Sequence, residues 1–151
     1  MKLYKALKLK KKLIGEITKL KQMIKDKNSY MTGSLNGEKF DVPALYAELK
    51  TKTDALVGLK YVINEANRDI QSLIYNLSEQ KALIAFWNEV SVDEGVKAIG
   101  YSDKIAEYKV QIDEKKRNEM VAELQQKVDS LQEDIDTYNY TTEIPWGELG
   151  E

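Results

Sequence analysis

Cysteine and histidine are both absent from this 151-residue chain. The first absence excludes disulfides, thiolate metal sites and cysteine nucleophiles. The second removes, in their usual forms, zinc sites, Ser-His-Asp triads and the Glu-x-x-His bundles that hold two irons. Proline occurs only as Pro43 and Pro145, so most of the chain is free of helix breakers. No run of about 18 apolar residues occurs, so no transmembrane helix is expected. Lys2, Lys5, Lys8, Lys10, Lys11 and Lys12 break up any apolar stretch near the start, which leaves no signal-peptide pattern. The expected location is the cytoplasm.

What is present points to helices. Hydrophobic residues at 42% and charged residues at 32% match an ordered helical protein and not a disordered one. Val121, Leu124, Val128, Leu131, Ile135 and Tyr138 alternate steps of three and four, which keeps one apolar stripe on one helix face. Leu45, Leu49, Leu56, Leu59 and Ile63 form a second such series, with Lys52 as its polar member. The fold class expected is therefore mainly α: long antiparallel helical hairpins or coiled coil, with one short extended segment near residues 104–112. Residues 1–151 read as one elongated helical domain with a non-helical tail at 139–151. Such a domain has a thin core, and a second copy is expected to cover its apolar stripes.

The first helix is expected over residues 2–26. Leu3, Leu7, Leu13, Ile14, Ile17, Leu20 and Ile24 share its apolar face, with Lys5, Lys8, Lys11, Lys12 and Lys19 opposite. Lys10 falls within the apolar arc, a place for a frayed or snorkelling side chain. Gly15 costs roughly 1 kcal/mol against alanine. The aliphatic side chains outweigh it, at ~1.5–3 kcal/mol each when buried. Asn36-Gly37 marks a turn in a loop over residues 28–41, and Asp41 then caps a second helix, with Pro43 in its first turn, running to about residue 66.

Beyond it two readings stand. Either the apolar repeat continues through Ile70, Leu73 and Leu77, or Asn76 with Glu79 forms a capping box that opens a new helix ending near residue 88. Ser91 with Glu94 predicts a short helix closed by Gly100. Ala106, Tyr108, Val110 and Ile112 alternate with polar residues, which favours an extended segment, although Ile105, Tyr108 and Ile112 would also suit a helix running straight into the next; Asp113 then caps a last helix over residues 114–138.

Charge is segregated along the chain. Residues 1–27 hold ten lysines against Glu16 and Asp26, a net of +8, whereas residues 113–151 hold eleven acids against four bases, a net of −7. A lysine-only cluster lacks the arginine forks that suit phosphate backbones, and the rest of the chain is acidic, so nucleic acid is not the expected partner. Its aliphatic face also lacks the Trp or Phe of interfacial helices, which leaves anionic lipid as the alternative. The favoured partner of the lysine face is the acidic last helix, within one chain or between two.

Several residues resemble a family. Met1-Lys2-Leu3 with Ala6-Leu7, Ile63-Asn64 with Asn67, Leu77-Ser78-Glu79, and Leu124-Gln125 with Val128-Asp129 and Leu131 match its pattern. So does the ending Asp136, Asn139-Tyr140-Thr141-Thr142-Glu143-Ile144. The chain resembles a bacterial family of helical proteins often labelled septicolysin, a name that suggests cell lysis. The family places an Asp-Gly turn before its Leu-Ser-Glu element, and this chain has none around Tyr75. The resemblance implies long antiparallel helices with a short extended segment before the last one. It implies no activity, catalytic residue or cofactor.

Few residues suggest chemistry. Asp93 with Glu94, or Asp134 with Asp136, offers oxygens to a hard cation, but neither has the spacing of a calcium loop. Gly33, Gly37 and Lys39 lack the spacing, the following Ser or Thr and the preceding strand of a phosphate loop. Asn64 and Asn67 lie three apart on one helix face and form the one polar site worth following. No cofactor, metal or catalytic residue is expected. The expected function is a non-enzymatic interaction or scaffold protein, at least a homodimer through the seam residues Leu45, Leu49, Leu56, Leu59, Ile63, Val121, Leu124, Val128, Leu131 and Ile135. A membrane-active protein using the lysine-rich first helix is the alternative.

Overall fold

The computed structural model describes residues 1–33, 39–101 and 103–147. The chain is mainly α with one short antiparallel pair of strands. The order is α1 (Leu3–Lys27), α2 (Val42–Asn67), a single 3₁₀ turn (Arg68–Ile70), α3 (Gln71–Glu89), β1 (Gly95–Ala98), β2 (Ile105–Tyr108) and α4 (Glu114–Thr141). Two compact units emerge: residues 1–69 with 137–151, and residues 70–136. The Asn36-Gly37 turn lies outside the described residues.

In the first unit α1 and α2 pack antiparallel. Leu3, Ala6 and Leu13 of α1 share a buried cluster with Leu59 and Ile63 of α2 and with Ile144 of the tail. Farther along, Lys52 Nζ reaches Glu16 Oε2 at 2.9 Å. The buried positions of α1 are Leu3, Ala6, Leu13, Ile17 and Leu20, and Lys10 is half-buried between them, as a snorkelling lysine should be. Ile14, placed on the apolar face by sequence, is exposed. The packing follows the three-four repeat through Ala6, which carries the stripe past Ile14 on the other side.

The start of α1 is closed from far along the chain. No side chain caps it, and its first amide, Leu3 N–H, donates instead to Thr142 O at 2.9 Å. Ile144 N–H donates to Met1 O at 2.8 Å, Lys2 pairs with Glu143 as a single antiparallel bridge, and the rings of Tyr4 and Tyr140 lie 4.7 Å apart. Trp146 then folds over α2 at Gly58, where an added Cβ would sit 3.3 Å from the ring. The non-helical tail therefore starts later than position 139. Thr142 N–H donates to Tyr138 O and the Thr141 hydroxyl donates to Thr137 O, so these bonds carry the last turn to Thr141.

In α2, Asp41 Oδ1 accepts from Ala44 N–H at 3.1 Å, the cap expected ahead of Pro43. Each of the two readings beyond α2 holds in part: α2 stops at Asn67 and a new helix, α3, ends at Glu89, near the expected residue 88, but it opens at Gln71 and not at an Asn76 cap. Ile70 is buried, Leu73 and Leu77 are half-buried, and Asn76 sits inside α3, where its Oδ1 accepts from Gln80.

The second unit corrects one expectation. Residues 91–100 form no helix; the Ser91 hydroxyl accepts from Asp93 N–H in a local turn, and β1 follows. Gly95 at φ +98° and Gly100 at φ +60° hold the backbone outside the helical region. Of the alternating segment foreseen at 104–112, residues 105–108 form β2 while Val110 and Ile112 lie beyond it, and residues 95–98 join the ladder as its partner. The register pairs Gly95 with Tyr108, Val96 with Glu107, Lys97 with Ala106 and Ala98 with Ile105. Asp113 Oδ1 accepts from Lys116 N–H at 2.8 Å and opens α4 as expected. Among the described residues of this unit, Ile70, Val128, Leu131 and Ile135 are buried.

Candidate functional site

The β-hairpin and the end of α3 make the most distinctive surface of the second unit. On one face of the hairpin the register places Val96, Ala98, Ile105 and Glu107 together, and all four are exposed, Ile105 by 71%. At the turn Ile99 and Tyr101 are also exposed. On the other face Lys97 Nζ stands 5.9 Å from the Tyr108 ring centroid, while Asp93 Oδ1 holds the same ammonium at 2.8 Å. That contact keeps the Asp93 carboxyl below its ordinary value.

Behind the hairpin lies a mostly apolar cavity of about 470 Å³, lined among others by Phe86, Trp87, Val90, Tyr108, Val110 and Ile112. Phe86 and Trp87 meet edge to face, 5.3 Å apart. Arg117 Nη1 donates to Val90 O at 3.3 Å, while its buried Nε has no partner among the described residues. α3 and α4 border a second groove of about 310 Å³ between Gln80, Leu83 and Trp87 on one side and Met120, Leu124 and Lys127 on the other. These surfaces offer apolar contact and few polar groups. Their chemistry suits packing against another apolar surface.

Two charged contacts organise the first unit. Glu16 lies between Lys52 at 2.9 Å and Lys12 at 3.8 Å. Its hydrogen bond from Lys52 holds the carboxyl below its ordinary value, and the same bond raises the Lys52 ammonium. Glu143 accepts from Lys2 at 2.9 Å and lies 3.3 Å from the Met1 amino group, and its carboxyl is likewise held low, chiefly by Lys2. A carboxylate beside the start of α1 also complements the helix dipole.

The residues singled out by sequence fall as follows. Leu59, Ile63, Val128, Leu131 and Ile135 are buried within the chain itself, and Leu45, Leu49, Leu56, Val121 and Leu124 are half-buried. Asn64 is exposed and Asn67 half-buried, and neither side chain makes a hydrogen bond among the described residues. The polar contact at that end of α2 belongs to Tyr138, whose hydroxyl donates to Ala66 O at 2.7 Å and lies 3.3 Å from Asp69 Oδ2. Trp87 is half-buried between the two grooves. Asp93 is engaged by Lys97, and Asp136 accepts from Gln132. Among the described residues no three acids gather as a cation site requires. Sequence reasoning missed the apolar hairpin face. Its signal was the Val96, Ala98 alternation, hidden by the capping pattern of Ser91 and Glu94.

Comparison with known protein families, curated proteins and solved structures finds no match to this chain.

Proposed function

We propose that this chain is a non-enzymatic helical scaffold of the cytoplasm that works by associating with further copies of itself. The observation that supports this reading is the uncovered hairpin. A two-stranded sheet is marginal in water unless something packs on it. Here Val96 and Ile105 on one face, with Ile99 and Tyr101 at the turn, all stay exposed. Apolar surface gathered in this way usually marks an interface. The resemblance to the septicolysin-labelled family is kept as a proposal too, supported by a strand pair that comes before the last helix; it adds no activity.

Light scattering at micromolar concentration tests the scaffold reading. A mass of at least twice 17.3 kDa is expected, and a monomer would overturn it. Val96→Lys with Ile105→Lys should shift the protein toward monomer, because each places a charge where apolar contact is required. The alternative is a peripheral membrane protein bound through the lysines of α1; among the described residues no helix is long and apolar enough to cross a membrane. Sedimentation with phosphatidylserine vesicles, lost at high salt, would favour that alternative.

A further inference from the structure

The back of α1 is mainly basic over residues 5–19 and the back of α4 mainly acidic over residues 119–133, with Asp26 and Lys115 as the opposite charges nearer the helix ends. On α1 the buried face is Leu3, Ala6, Leu13, Ile17 and Leu20, and at 100° per residue Lys5, Lys8, Lys11, Lys12 and Lys19 project from the opposite side. On α4 the buried face is Val128, Leu131 and Ile135; Glu119, Asp129 and Glu133 project from its opposite side, and Glu123 stands at the rim of the groove between α3 and α4. All nine are exposed.

Little within the chain neutralises them. Lys12 pairs with Glu16 at 3.8 Å and Lys8 lies over the Tyr4 ring, while Lys5, Lys11 and Lys19 form no ion pair among the described residues. Glu119 approaches Lys116 at 3.9 Å and Asp129 accepts a hydrogen bond from Gln125, but Glu123, Asp129 and Glu133 have no basic partner among the described residues.

An ordinary solvated helix face mixes signs, as α2 does with Glu48, Asp54 and Glu65 among Lys50, Lys52 and Lys60. These stretches of α1 and α4 instead carry like charges one turn apart, Lys8 with Lys12 and Asp129 with Glu133. Such i, i+4 pairs destabilise a helix in isolation. A surface of opposite sign relieves that repulsion, and the two helices are of similar length, 25 and 28 residues.

We propose that the lysine face of α1 docks along the acidic face of α4 of a second copy of this chain. The interface repeats by symmetry, since each copy carries both faces. Exposed ion pairs add little stability one at a time, so the charges act on register and choice of partner while apolar contacts hold the copies together. The proposal rests on the self-association reading and names the surfaces it uses.

The test uses the full chain in two reversed forms: Lys5→Glu, Lys8→Glu, Lys11→Glu and Lys19→Glu in one, and Glu119→Lys, Glu123→Lys, Asp129→Lys and Glu133→Lys in the other. All these positions are exposed, and circular dichroism checks that both forms stay helical. Each alone is expected to scatter as a monomer, their mixture to recover the wild-type mass, and a chain carrying both sets to assemble by itself.

Should a reversed form fail to fold, the wild type still decides. Its dissociation constant from sedimentation equilibrium should rise at least ~10-fold between about 0.05 and 0.5 M salt. An oligomeric wild type indifferent to both salt and reversal would overturn this docking while leaving self-association in place. A monomeric wild type would overturn both. Reversed forms that keep their mass but no longer sediment with phosphatidylserine vesicles, or no longer bind DNA, would assign the lysine face to that ligand and overturn the docking.

Discussion

Leu59→Ala is the substitution whose cost follows most directly from the structure. Leu59 is fully buried, and it sits in the cluster where α1, α2 and the tail meet through Leu3, Ala6, Ile63 and Ile144. Truncation removes three carbon groups at roughly 0.8 kcal/mol each, and the cavity left behind brings the loss to about 3–5 kcal/mol. Val57 stands two residues earlier on the same helix and is 63% exposed, so Val57→Ala should change stability by no more than ~0.5 kcal/mol.

The assay is urea unfolding in a Trp87→Phe background, followed through Trp146, which packs against this cluster and reports on this unit alone. With a slope of ~1–3 kcal/mol per molar urea, Leu59→Ala should lower the midpoint by about 1–5 M. The Val57→Ala midpoint should hardly move. If the two variants unfold together, the cluster does not hold this unit together and the antiparallel packing of α1 on α2 is misread. A changed slope with an unchanged midpoint would likewise place the effect in the unfolded chain and count against the burial argument.

Two further outcomes are expected. Gly58→Ala should keep Trp146 seated, because a Cβ at 3.3 Å needs the ring to yield only slightly and alanine gains ~1 kcal/mol of helix propensity. Gly58→Val adds branches toward the ring and should lift it off, seen as a red-shifted emission in the same background; an unchanged spectrum would refute the contact. The acid limb of stability should involve Glu16 and Glu143, whose carboxyls lie below their ordinary value in the folded chain. Their contribution is complete above the unfolded value of ~4.3 and is lost as pH falls through the lower folded value. Lys52 acts in the opposite sense: its contribution is complete below ~10.4 and is lost as pH rises through the raised folded value. Melting temperatures between about pH 3 and 6 should therefore fall less in Glu16→Gln than in the wild type, and parallel curves would discount the pair.

The long helices were legible from the sequence because their signal is local and repeated. Apolar side chains at three-four spacing leave a helix as the arrangement that gathers them on one face. Asp41 and Asp113 cap from within three residues, so their roles could also be read directly. Reach is what separates these from the features that only the tertiary structure decided.

Residues 95–98 contain a plausible start of a helix and form a strand because residues 105–108 lie beside them, a pairing that no local propensity encodes. The start of α1 has no cap of its own and is closed by Thr142, brought there by α4 and the tail. Asn64 and Asn67, attractive by spacing, lost their place to Tyr138, which arrives from 72 residues beyond Ala66. The charge of each end could be counted from the sequence alone, but which lysines and acids remain unpaired could not. Short-range periodicity determines where the long helices form and most of the face each one buries. Hydrogen bonds and ion pairs between distant residues depend on where packing puts the backbone, and the structure alone records that.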